Sequence, residues 1–407
     1  MHYKFKTLSF VVNLALLTAV PAFTQTPAQS PVAYVYVAEN GPANSQSGGP
    51  ISIFAASAAG ELTQVKGSPF AQSSFYIVGD TGTDFVTLDS SSATTHQYLR
   101  TYEVTSTGAI GAAVAKQDLH EWCGLDAGAT LDHSGEYVYV LDNINCGGAI
   151  QTFAISKTGE LTFKSSTDVS GEATPIVAGN ETYAYTVNTG NDQPCPTDGF
   201  VGLKRESDGD LNSYTISVTG PSGVPTGEEV LSYSGAWMSP DPTNHLAALI
   251  YYGDSGCEVT SGPRLVSYSI ESDGDLVSTS TWSELPALDG NPTGGDEGLG
   301  RPMSLNPAGN ILAIAVGTGT QFFHFNGASP MTKLSDVIGS SGYIATLAWD
   351  KSNHLYALNE ATGRLHVYAV TTSKVEEVSG SPYTVPYCGE YHGSANCPQS
   401  LIVHSVN

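Results

Sequence analysis

The chain has 407 residues, of which 40% are hydrophobic and only 13% charged, enough apolar material to bury a large core. Its 44 glycines and 22 prolines call for many short strands joined by turns, which favours a single large all-β domain. A formal net charge of −24 argues against nucleic acid and anionic membrane as partners, and against strongly anionic substrates unless basic residues are concentrated locally.

In chain order, the first residues (MHYKFK) are basic, and Leu8 to Val20 is an apolar run shorter than the ~20 residues a membrane span needs. Val20-Pro21-Ala22 supplies small residues for cleavage, with Ala28 as a second choice. The expectation is a signal peptide over 1–22, a polar linker over 23–33, and a secreted or periplasmic protein with no membrane insertion. From residue 34 to 407 one pattern repeats, clearest in GEYVYVLDNINCGGAIQTFAISKTGELTF (Gly135 to Phe163), which reads as strand, loop, strand, tight turn, strand. Seven such copies follow one another. Copy one starts at YVYVAE (Tyr34 to Glu39), and copies two to seven are each preceded by one more apolar run and a turn, as in AWMSPDPTN, MSLNPAGN and ATLAWDKSN.

Each unit is therefore four strands in about 50 residues, a period suited to propeller blades. Copy one lacks its leading strand, and the missing piece is at the far end, where SLIVHSVN (Ser400 to Asn407) has the right pattern. Pairing it with the N-terminal strands closes a ring and removes the open sheet edge. The predicted fold is a seven-bladed β-propeller with four-stranded blades, closed by the C-terminal strand completing blade one.

Short turns such as SDGD (Ser207 to Asp210 and Ser272 to Asp275) then lie on one face, with glycine supplying positive φ. The long loops share the other face: His120 to Cys123, Val218 to Val230, Trp282 to Arg301 and the Cys388 loop. Long loops around a channel mouth are the expected place for binding or catalysis. All six cysteines fall there. Their spacing suits the pairs Cys388 with Cys397, Cys195 with Cys257, and Cys123 with Cys146, each bridge contributing about 2–4 kcal/mol. Zinc is disfavoured because no C-x2-C pair exists.

The strand pattern, the G-x-L turns and the twin GSPF and GSPY segments resemble the seven-bladed lactonase family that includes 6-phosphogluconolactonases and carboxymuconate lactonising enzymes. The resemblance implies a lactone hydrolase with its site at the channel mouth. The family's segment with two histidines aligns with GLDAGATLDHSG, where Leu125 and Ala127 stand in their place; its later arginine segment aligns with LGRPMSLNPAG, which keeps Arg301 and has Pro302 for the following histidine.

A lactonase needs an oxyanion partner and a base to activate water. Arg301 suits the first role; Glu228 or Glu229, with His120 or His392, suits the second. The alternative for Arg301 is an ion pair with a rim carboxylate. Trp122 and Trp282 offer rings for a sugar or a partner side chain, or packing for the rim, and Asp126 and Glu390 complete the expected ligand-binding set. No cofactor is expected, although Asp192, Asp254, Glu258, Asp289, Asp296 and Glu297 offer the oxygen ligands that suit a structural Ca2+. Gly253 to Gly256 (GDSG) reads as a turn before Cys257 and Gly290 to Gly300 as a flexible loop without phosphate-loop chemistry. Two functions remain in competition: a scaffold binding a protein or carbohydrate partner through the long-loop face, and a small-molecule lactone hydrolase with a remodelled site.

Overall fold

The computed structural model describes residues 30–40, 48–74, 76–81, 84–90, 97–119, 129–132, 134–142, 149–169, 177–188, 199–232, 237–254, 260–292, 301–339, 344–385 and 400–406. Blades, all within the unit Pro31–Asn407, are numbered in chain order.

Seven antiparallel sheets form the ring. The apolar runs ahead of each copy are the innermost strands: Tyr76–Asp80, Ala129–Leu131, Val177–Ala178, Met238–Pro240, Met303–Leu305 and Ile344–Trp349 lead blades two to seven. Blade one takes its innermost strand from the other end of the chain. Ser400–Ser405 pairs antiparallel with Ala33–Asn40, from Ala33 opposite Ser405 to Ala38 opposite Ser400, as the sequence predicts. Ser400 also accepts a hydrogen bond from the Ile77 N–H of blade two (2.8 Å), so the closing strand is tied to both sides of the seam.

Alternation along each strand sends side chains to the two neighbouring blades, and the core is a set of inter-blade clusters. Tyr36 and Phe85 meet between blades one and two with ring centroids 4.9 Å apart. Phe322 and Tyr368 meet between blades six and seven at 5.8 Å.

One contact recurs around the ring. The outer turn of every blade but the seventh carries a glycine with positive φ, and a residue at the start of the preceding blade's second strand packs against the space a Cβ would fill. The pairs are Tyr34 with Gly108, Asp84 with Gly159, Tyr137 with Gly209, Tyr183 with Gly274, His245 with Gly327 and, across the closing seam, His354 with Gly60. Tyr36 and Tyr185 then donate to the carbonyls of Gly108 and Gly274, both at 2.8 Å. Only the seam between blades six and seven departs, because the blade-seven turn Thr371 to Lys374 has no glycine.

A second device shapes the inner turns. The oxygen of an aspartate or asparagine accepts the N–H that opens the next strand: Asp132 from Tyr137, Asn180 from Tyr183, Asp241 from His245, Asn306 from Ile311 and Asp350 from His354. At Asp350 the other oxygen also takes His354 Nδ1 (2.8 Å) and the Tyr356 hydroxyl (2.9 Å). The GSPF and GSPY segments have a shared use: the Ser68 hydroxyl accepts the Ile53 N–H (2.8 Å) and that of Ser381 the Val367 N–H (2.9 Å), where the outer strand leaves the ladder ahead of a cis proline.

Blade five corrects one expectation. The sequence places Val218 to Val230 on the channel face, but Val218–Thr219 runs parallel to Leu276–Val277 on the blade's outer edge. The outer strand there is only two residues long, and the segment satisfies its open edge: Leu276 and Ser278 donate to Ser217 and Thr219. Only Glu228–Ser232 returns to the upper part of the blade, pairing with His245–Asp254 on the same edge as the innermost strand.

Gly274 and Gly227 share a φ of 91°, yet a Cβ at Gly274 would lie 2.1 Å from the Tyr214 hydroxyl while one at Gly227 would meet nothing within 4 Å. Gly227→Ala is expected to cost only the left-handed backbone penalty of about 1–2 kcal/mol. Gly274→Ala should add about 1–3 kcal/mol of overpacking, measured as the difference between the two urea midpoints. Equal losses would remove the docking role of the turn.

Burial alone would raise the Asp350 carboxyl, but the hydrogen bonds from His354 and Tyr356 outweigh it and hold its pKa below the usual carboxylate value. A depressed folded pKa means stability that is present above the unfolded carboxylate range and is lost as pH falls through the folded value. Asp350→Asn should therefore lower stability near neutrality and flatten the acid limb of the stability profile. An acid limb identical to that of the parent protein would contradict this.

Candidate functional site

The innermost strands start at the long-loop face, and Arg301 stands two residues before Met303–Leu305, at the mouth of the channel. Its main chain is clamped between two blades. The Arg301 carbonyl accepts the Leu347 N–H of blade seven (2.9 Å), and the Pro302 carbonyl accepts the Ala315 N–H of blade six (2.8 Å). Proline at 302 stiffens the entry to the strand and is buried.

The side chain leaves this clamp and crosses the channel. Nη2 donates to the carbonyls of Ala129 (3.3 Å) and Val78 (3.5 Å), on the innermost strands of blades three and two. In a ring of seven these blades stand three places from blade six, one in each direction. A cation from one wall therefore rests on the opposite wall. The two bonds are long beside the ~2.7–2.9 Å of a charge-assisted pair, and both acceptors are neutral. Among the described residues no carboxylate forms an ion pair with Arg301. The side chain remains exposed.

Of the other expected residues, the described ones make no hydrogen bond or ion pair with it. Glu228 lies at the end of Glu228–Ser232 away from the innermost strand, and its Oε2 accepts the Thr260 hydroxyl at 2.7 Å. No hydrogen bond or ion pair joins Glu228 to Arg301 among the described residues. Glu229 pairs through its main chain with Gly253. His120, His392, Trp122, Asp126, Glu390 and the six cysteines lie outside the described residues, as do Leu125 and Ala127. Of the acidic set weighed for Ca2+, Asp289 is engaged by Lys333 Nζ at 2.5 Å, which also pairs with Asp336 at 2.7 Å.

Trp282 takes the packing role. It opens a short 3-10 turn, Trp282–Glu284, whose start is held by Glu284 Oε2 accepting from the Thr281 N–H and hydroxyl, both at 2.9 Å. The ring is 8% exposed, lies 4.5 Å from the Tyr252 ring between centroids, and belongs to the cluster between blades four and five. Sequence reasoning missed Val78 and Ala129 as partners of Arg301. They contribute carbonyl oxygens, which leave no signature in residue type.

No family model matches the chain, and no curated protein matches it. Solved structures share its fold at low identity. A protein from Bacteroides fragilis is 13% identical with a TM-score of 0.57, covering 92% of this chain and 98% of its own. One from Bacteroides uniformis is 13% identical at 0.55, covering 87% and 96%. Both bear the name putative 6-phosphogluconolactonase. A Lactobacillus plantarum protein is 14% identical at 0.54, covering 92% and 99%. At these identities the likeness is one of fold.

The packing of Trp282 has a measurable consequence. Trp282→Ala should destabilise the protein by about 3–5 kcal/mol in urea unfolding, in line with truncation of a buried aromatic ring. A loss under ~1 kcal/mol would return the ring to the list of ligand-stacking candidates.

Proposed function

We propose that this protein binds a small carbonyl- or carboxylate-bearing molecule at the long-loop mouth of its channel, with Arg301 as the anchor. The observation that carries the reading is the guanidinium stretched across the channel to two neutral carbonyls at 3.3 and 3.5 Å. A ligand oxygen offers the same donors a shorter, charge-assisted bond in place of those two contacts. In a chain of net charge −24, a locally placed cation is also what lets an oxygen-rich ligand approach.

Lactone hydrolysis is the second reading. It is supported by Arg301 standing where the resembled lactonase family carries an arginine, and by fold neighbours named as putative 6-phosphogluconolactonases. In this reading Arg301 receives the oxygen that becomes negative as water attacks the ring carbonyl. The base is drawn from Glu228 or Glu229 with His120 or His392, and of these Glu228 already accepts the Thr260 hydroxyl. The leader-like segment over 1–22 adds a periplasmic or secreted setting, which favours a neutral extracellular lactone over a phosphorylated one. A protein or glycan partner on the same face is the competing occupant.

The test is proton release from a panel of lactones, with calorimetric titration of the ring-opened hydroxy acids, on the parent protein and Arg301→Ala. Hydrolysis should fall by about 10²–10³-fold in the variant, and binding should be lost. Binding or turnover unchanged in Arg301→Ala would overturn the assignment.

A further inference from the structure

At the seam between blades six and seven, the one without a docking glycine, the buried Thr320 Oγ1, Asn359 Nδ2 and His366 Nε2 have no hydrogen-bond partner among the described residues. Their residues are 0%, 0% and 3% exposed. Register brings them to one place. Thr320 is opposite Ala315 and His366 opposite Ala357, and both alanines belong to the cluster between these blades, so Thr320 and His366 face each other's blade.

Gly319–Asn326 and Arg364–Val370 both run away from the long-loop face, and Phe322 packs on Tyr368. Thr320 and His366, two residues earlier on each strand, therefore stand on the facing sides of the two blades one level higher. Asn359 is opposite Arg364 and so diagonal to His366 on the same face, a spacing of about 7–8 Å that side chains can bridge. A backbone strap closes the outside: Thr320 and Ile338 exchange hydrogen bonds at 2.9 Å, and at Gly339 a Cβ would lie 2.6 Å from the Tyr368 hydroxyl.

The chemistry of the three groups defines what fits between them. His366 Nδ1 lies 2.8 Å from Glu377 Oε1, and a carboxylate only accepts, so Nδ1 carries a hydrogen; in the neutral imidazole Nε2 then offers a lone pair. Asn359 Oδ1 already accepts the Thr362 N–H (3.2 Å), leaving Nδ2 as a donor. The Thr320 hydroxyl can do either. The guest must donate to His366 and accept from Asn359, which is the pattern of a hydroxyl group.

We propose that blades six and seven enclose a binding site for one internal water, held by His366, Asn359 and Thr320 and oriented by Glu377 through the imidazole. Buried waters of this kind make about three hydrogen bonds to groups that otherwise have none.

Two measurements test it. A crystal structure of the full chain should show one water peak within hydrogen-bond distance of all three atoms, and nitrogen-15 NMR of labelled histidine should show His366 protonated at Nδ1 alone. Thr320→Val removes one partner of a bound water and should lower the unfolding midpoint. In a dry seam the same change removes an unpartnered buried hydroxyl and raises the midpoint. An empty seam in the electron density, an Nε2–H tautomer, or a raised midpoint in Thr320→Val would each overturn the proposal.

Discussion

The ring depends on one small contact repeated between blades: an aromatic or polar side chain set against a glycine turn of the next blade. A single four-stranded sheet cannot bury both of its faces, so each blade needs two neighbours at a constant distance and angle. The turn glycine lets the neighbour approach where any other residue would place a Cβ, as Tyr137 shows against Gly209, 1.9 Å from the position a Cβ would occupy. Because His354 and Gly60 make the same contact across the closing seam, the last and first blades meet on the terms that join the others. The Ser400–Ser405 strand then adds a ladder to the join.

The channel site is a product of that closure. Arg301 is held by blades six and seven and finds its acceptors on blades two and three, so its position is meaningful only when the ring is complete. A cation in such a place has an unequal balance of interactions: one wall holds its main chain firmly, and the other offers two long contacts to neutral oxygens. In the proposed function, an oxygen-bearing ligand would trade weak contacts for strong ones without disturbing the main-chain clamp. The elaborated blade five contributes differently. Its extra strands and the packed Trp282 brace the outer edge and upper part of the blade, and the tryptophan is spent on packing.

Much of the architecture was legible in the sequence because it rests on periodic signals. Alternating runs gave the strands, the G-x-L turns gave the outer hairpins, and the unmatched Ser400 to Asn407 run gave the closure. The polar residues at 132, 180, 241, 306 and 350 also mark inner turns by a mechanism that residue type reveals. Backbone chemistry was hidden. Nothing in the residue types of Val78 and Ala129 announces carbonyls facing an arginine from another blade. The path of Val218–Thr219 was equally silent, because a parallel two-residue pairing follows from the shortness of a neighbouring strand and not from its own pattern. Trp282 had two readings on composition alone, and contact with Tyr252 selected packing.

The central claim is that Arg301 anchors a ligand at the channel mouth, and the most direct measurement is a crystal structure of the protein soaked with a lactone or its ring-opened hydroxy acid. The account predicts a ligand oxygen on the Arg301 guanidinium, with the contacts to Val78 and Ala129 released. A ligand seated elsewhere, with Arg301 still resting on those two carbonyls, would contradict it.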